Sequence, residues 1–134
     1  MFDAMDTAVS GATASRVWLD AIADNVANIN TVHPAGEEPF KARLVYMSEQ
    51  RNTDGAGAGV VATTVVPDGD ASALVYDPNH PYADENGNVA TANVDLGIEM
   101  TNLLVAQRSY QANLRVIEQA RDAYRSALQI GARG

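Results

Sequence analysis

The sequence predicts a mainly α chain with a small β insert: long N- and C-terminal helices pairing as a coiled coil, and an irregular β-rich middle segment. Apolar residues recur at three- and four-residue steps at both ends. Between them the pattern changes to two-residue alternation interrupted by glycine and proline turns. The C-terminal pattern also runs longer than a domain of 134 residues has room to cover. The chain divides accordingly into the N-terminal helix of the α-helical core (1–31), the insert (32–93) and the C-terminal helix of the core (94–134).

In the first segment Met5, Val9, Ala12, Leu19, Ile22, Val26 and Ile29 fall three, four or seven apart, which is helical spacing over about residues 3–30. Ser10-Gly11 is a weak point there, because glycine inside a helix costs about 1 kcal/mol against alanine. The pattern fades over Asn28–Thr31, and Pro34 with Gly36 closes it.

The insert reads as three or four short strands. Phe40, Ala42, Leu44 and Tyr46 alternate with Lys41 and Arg43. A flexible glycine loop, 55–59, precedes the Val- and Thr-rich run 60–66, and Pro67-Asp68-Gly69-Asp70 reads as a turn. Ala73–Tyr76 is a short apolar run, and Asn86-Gly87 is a hairpin signal.

The C-terminal segment, about 94–130, carries the strongest pattern. Leu96, Met100, Leu103, Gln107, Tyr110, Leu114, Ile117, Arg121, Tyr124 and Leu128 step by four and three without a break, and only Gln107 and Arg121 are polar. Asn93 is the expected N-cap and Gly131 the expected stop. Such a helix is about 50 Å long at 1.5 Å per residue. That outruns a globule of this size, so part of the stripe is expected to meet partners outside the chain. The competing reading is a helix hairpin closing one core. Gln107 and Arg121 either fix register and partner number or snorkel at a core's edge.

The formal net charge of −8 argues against nucleic-acid binding, which needs a basic face. Residues 1–100 hold four Lys and Arg against fifteen acids, a net −11; residues 101–134 hold five Arg against two acids, a net +3. Either cations gather toward the end of a long helix, favoured by its dipole, or this helix meets an acidic partner segment. The first helix is such a segment, with Asp3, Asp6, Asp20 and Asp24 against Arg16, a net −3. The absence of cysteine excludes disulfides and thiolate metal sites and leaves the compartment open. The N-terminus lacks the basic and apolar regions of a Sec-type signal, and no apolar run approaches the roughly 20 residues that span a bilayer.

No chemistry stands out. The 55–59 glycines lack a phosphate-loop register and a following helix. The oxygen-rich stretch 77–88 fails as a calcium loop: with Gly87 at the sixth position, Tyr82 and Asn93 fall where acids are needed. A surface loop built on Pro and Asx-turns fits it better. His33 and His80 are the only histidines, too few for zinc without cysteine, and no serine lies in a nucleophile-elbow context. No catalytic residue, metal site or cofactor is therefore expected. Besides a structural subunit, the pattern allows a free-standing coiled-coil adaptor dimerising through 96–128.

Three segments give a sharper reading. Ser10–Thr31, with Asn25-Val26-Ala27-Asn28-Ile29-Asn30-Thr31 inside it, resembles the N-terminal segment of the bacterial flagellar rod and hook proteins and their N-I-A-N-x-x-T element. Arg108-Ser109-Tyr110-Gln111-Ala112-Asn113 and Ala127-Leu128-Gln129-Ile130-Gly131 resemble that family's C-terminal R-x-Y-[EQ]-A-N and A-L-x-I-G elements. Tyr76-Asp77-Pro78-Asn79-His80-Pro81-Tyr82-Ala83-Asp84-Glu85-Asn86-Gly87 resembles a stretch of one short, proximal member of the basal-body rod family. Ala12 departs from the leucine usual in the family, and residues 32–38 and 51–72 match nothing in it. The resemblance implies a structural subunit of the flagellar basal-body rod, the axial drive shaft for motility, and not an enzyme. Terminal helices would pair into an inner tube beside copies of the chain and other rod proteins, with membrane-ring and export-apparatus components at the base. It also implies a rod crossing the periplasm and type III export without a cleaved signal.

Overall fold

A computed structural model describes residues 2–34, 37–53, 55–67 and 72–131. Two helices, α1 (Phe2–Ala27) and α2 (Leu96–Gly131), enclose five strands: β1 (Val32–His33), β2 (Leu44–Arg51), β3 (Gly57–Val65), β4 (Ser72–Tyr76) and β5 (Asn88–Ala92). Gly36 and residues 68–70 of the expected turn lie outside the described residues.

The helices run antiparallel within the chain. Gly11 lies against Asn113, the Ser15 hydroxyl donates to Ser109 Oγ at 3.0 Å, and the Asn25 amide donates to Glu99 Oε1 at 3.0 Å. Each facing pair of residue numbers adds to 124, so Phe2 falls level with Asp122 and residues 123–131 run on past α1. At 1.5 Å per residue the helices are about 39 and 54 Å long, which leaves an overhang of about 13 Å. Pairing as such is as expected, but its seam is made of small side chains rather than of the predicted heptad stripe. Ala8, Ala12 and Ser15 on α1 and Ala106 on α2 are buried. A Cβ at Gly11 would come within 2.8 Å of Asn113 Oδ1, so the glycine that weakens the helix locally is what admits its neighbour.

The other side of α1 carries the β2–β3 hairpin. Ser10 Oγ accepts from Val60 N–H at 3.0 Å, and Gly59, at φ +120°, lies so close that a Cβ would clash with the same hydroxyl. This corrects the glycine loop: Gly57 and Gly59 already belong to β3, and at Gly59 a bare backbone is needed against the helix. The alternation expected over 40–46 also shifts, because pairing with β3 begins only at Leu44 opposite Val65. Asn25 explains the shift. Its side chain accepts from Arg43 N–H at 2.7 Å and donates to Arg43 C=O at 3.0 Å, occupying both backbone groups of the residue before the strand.

The second sheet has the order β1-β5-β4, all antiparallel, and buries Val89 and Ala92. Strand β1 was not foreseen. One further expectation fails at the start of α2: Asp95, not Asn93, is the N-cap, its Oδ1 accepting from Ile98 N–H at 3.0 Å. The described part of α2 ends at Gly131.

The apolar core is small: Ala8, Ala12, Ala14, Ala21, Ile22, Val89, Ala92 and Ala106. The bulkiest fully buried side chains are polar, Asn25 and Ser15.

Candidate assembly surfaces

Four features stand out: the inner seam, two outer stripes on α2, the junction where α1 ends, and the 77–87 loop. The seam on α2 passes through Glu99, Asn102, Ala106, Ser109 and Asn113, at steps of three and four, all buried or half-buried. These are small or polar positions, and a search for large apolar periodicity passes over them. A step search for small residues on both helices would have found the seam.

Of the residues expected at an assembly surface, Ile22 is 2 % exposed and belongs to the chain's own core. Met5, Leu19, Val26, Leu103, Tyr110 and Ile117 are half-buried on the two helices, and Ile29 is half-buried in the turn after α1. Val9, Leu96, Met100, Leu114, Tyr124 and Leu128 are exposed large apolar residues, Leu128 at 56 %. Gln107 and Arg121 are exposed as well. One part of this stripe forms a shallow groove between the helices, lined by Val9, Ala12, Thr13, Arg16, Tyr110, Leu114 and Ile117.

A second stripe was missed. Ile98, Val105, Val116 and Ile130 are exposed and lie seven, eleven and fourteen residues apart, each close to a whole number of turns. Val105 is nine residues from both Leu96 and Leu114, two and a half turns, which puts this stripe on the opposite side of α2 from them. Exposed Ala112, Ala123 and Ala127 lie along it. Thus α2 covers one face against α1 and presents large apolar residues on two others.

The resemblance residues of the N-terminal element gather at the junction. Asn25, 1 % exposed, ties α1 to the start of β2 and to α2 through the three hydrogen bonds given above. Asp24 forms an ion pair with Arg43 beside it. Asn28 donates to Asp24 C=O at 2.9 Å and accepts from the Thr31 hydroxyl at 3.1 Å, a local turn that ends the helix. Of the C-terminal element, Asn113 meets Gly11, Tyr110 flanks the seam, and Arg108 is exposed.

The 77–87 loop closes on itself. Asp84 Oδ1 accepts from Asn86 and Asn88 N–H, both at 2.8 Å, and Asp77 Oδ1 accepts from Asn79 N–H at 3.3 Å. The Asn88 N–H is the main cause holding the Asp84 carboxyl below its ordinary range, with Asn86 adding to it. His80 Nδ1 accepts from Tyr82 N–H at 3.1 Å, and the two rings lie 5.4 Å apart. Gly87 takes φ +77°, where a Cβ would press on Tyr76 and Pro78. These oxygens are occupied in Asx-turns, the reading that the sequence favoured over a calcium loop. Among the described residues, no three His, Asp or Glu side chains cluster as a metal site, and no helix is long and apolar enough to cross a membrane.

Comparison with known proteins matches both ends of the chain. Residues 5–33 match the family described as flagella basal body rod protein, and residues 85–130 match that described as flagellar basal body rod FlgEFG protein C-terminal. Over its whole length the chain is similar to flagellar basal-body rod proteins FlgC. It is 33 % identical to that of Salmonella typhimurium, with 98 % of each chain covered. It is 31 % identical to those of Borreliella burgdorferi and Bacillus subtilis, with 97 % of each covered.

Proposed function

This chain belongs to the flagellar basal-body rod protein family, and on that premise we propose that its two terminal helices are the surfaces through which it builds its part of the rod. It is a structural subunit of the FlgC type, not an enzyme and not a free-standing adaptor. The observation that carries the proposal is the distribution of side chains on α2. Its buried seam uses small residues, while Leu96, Met100, Leu114, Leu128, Ile98, Val105, Val116 and Ile130 stay uncovered.

A helix with apolar stripes on two sides suits a position between neighbours, where both stripes find partners. Those contacts are heterologous, as an open helical array requires, and the coiled-coil pairing expected from the heptads is placed between subunits. Neighbours are copies of this chain and other rod proteins, with membrane-ring and export-apparatus components at the base. The assembled rod crosses the periplasm, and the chain travels there by the flagellar export route without a cleaved signal. The net +3 of residues 101–134 against the acidic α1 supports contact between the C-terminal helix of one subunit and the N-terminal helix of the next.

The test is Leu114→Asp in cells whose rod depends on this chain. The variant is expected to be produced but absent from purified basal bodies, leaving the cells non-motile. Normal swimming removes the stripe as an assembly surface.

A further inference from the structure

A groove of about 270 Å³ opens where α1, β2 and α2 meet, lined by Trp18, Ile22, Arg43, Leu44, Val45, Tyr46, Glu99 and Asn102. Its walls are largely apolar, and Tyr46 is 60 % exposed at its edge. Glu99 is 8 % exposed, and its Oε2 is buried without a hydrogen-bond partner, the one such side-chain atom among the described residues. Nothing nearby supplies a donor. The two amide hydrogens of Asn25 go to Glu99 Oε1 and Arg43 C=O, Arg43 is engaged by Asp24, and Asn102 makes no bond to Oε2. A buried carboxylate with an orphaned oxygen is costly, and a cationic donor brought by a partner would satisfy it.

The opposite end of the molecule shows what such a cation can be carried on. The overhang 123–131 has Arg125 as its one charged residue, set among Tyr124, Leu128 and Ile130; its guanidinium lies 3.8 Å from Asp122 Oδ1 in a solvent-exposed pair that a partner carboxylate can replace. The C-terminal family match, residues 85–130, takes in all but the last residue of this overhang. We propose that the groove is a socket for the C-terminal helix end of an adjacent rod subunit, whose guanidinium bonds to Glu99 Oε2 while its apolar residues cover Trp18, Leu44 and Tyr46. Socket and overhang lie at opposite ends of the chain, so the contact is head-to-tail and repeats along an axis. The inference rests on the rod reading above and adds to it the site, its chemistry and its direction.

Two measurements on assembled basal bodies test it. With p-benzoylphenylalanine in place of Tyr46, irradiation is expected to join the chain to the last three turns of a rod subunit's C-terminal helix, as located by mass spectrometry of the joined peptides. Attachment to any other segment, or none, overturns the socket. Glu99→Gln keeps the shape and the acceptor for Asn25 but removes the charge. It is expected to melt as the parent does while entering basal bodies about tenfold less or worse, the cost of losing a buried charge pair. Incorporation at the parental level overturns the role of Glu99. If Glu99→Gln does not fold, the crosslink decides. Failure of the rod reading looks different: the parent chain itself is then absent from basal bodies.

Discussion

The inner and outer faces of α2 reverse what a globular helix does. Inward, against α1, it sets Ala106, Ser109 and Asn113 on Gly11, Ala12 and Ser15, and the backbones approach closely. Outward it leaves Leu96, Leu104, Val105, Val116, Leu128 and Ile130 exposed. In a self-contained domain the large apolar residues would fill the core, because burying each contributes about 1.5–3 kcal/mol. With only Ile22 and Val89 as large apolar residues in the core, the fold of one chain relies on close backbone contact and on polar junctions. On the proposed function the difference separates two tasks on one helix: the small face makes the subunit, and the large faces are the ones proposed to join subunits.

The largest effect on the subunit is expected at the junction. Asn25→Ala removes three hydrogen bonds and leaves the part-buried Arg43 backbone groups and the buried Glu99 without that partner, a loss of about 3 kcal/mol or more measured by urea melting. A loss under about 1 kcal/mol would show that the junction does not hold the subunit together. Next comes the seam. Gly11→Leu should cost about 1–3 kcal/mol by overpacking against Asn113, and pairing it with Asn113→Ala should recover part of that. Strict additivity of the two changes would mean that the helices do not meet there.

Much of this organisation was legible beforehand, and the failures share a cause. Both helices, the β2–β3 and β4–β5 regions and the turn at Gly87 follow from periodicity and turn chemistry. Residues 123–131 of the long stripe run on past the end of α1. What periodicity did not give was the seam, because Ala and Ser at helical spacing look like filler until a partner backbone lies against them. The start of β2 and the cap at Asp95 were misplaced for a similar reason. Each is decided by one side-chain contact, Asn25 with Arg43 and Asp95 with Ile98, which a pattern of types cannot choose among neighbours. The second stripe was in the sequence, but its steps of seven, eleven and fourteen are too sparse for a heptad search.

The smallest effect concerns the 77–87 loop, which lies apart from both faces. The carboxyl of Asp84 is held low in the folded chain, so what it contributes is present above the ordinary carboxylate pKa of about 4. That contribution is lost as the pH falls through the lower, folded value. The amide proton shifts of Asn86 and Asn88 should therefore move together below the ordinary carboxylate range and stay flat in Asp84→Asn. Independent movement would mean that the two do not share Asp84.

The division of labour on α2 is tested most directly by Leu128→Asp, placed on the overhang and far from the seam. The purified variant should match the parent in melting to within about 0.5 kcal/mol, since Leu128 is 56 % exposed and lies past the end of α1, while its incorporation into basal bodies is lost. A variant that assembles and supports swimming as the parent does would contradict the assignment of the outer faces to assembly.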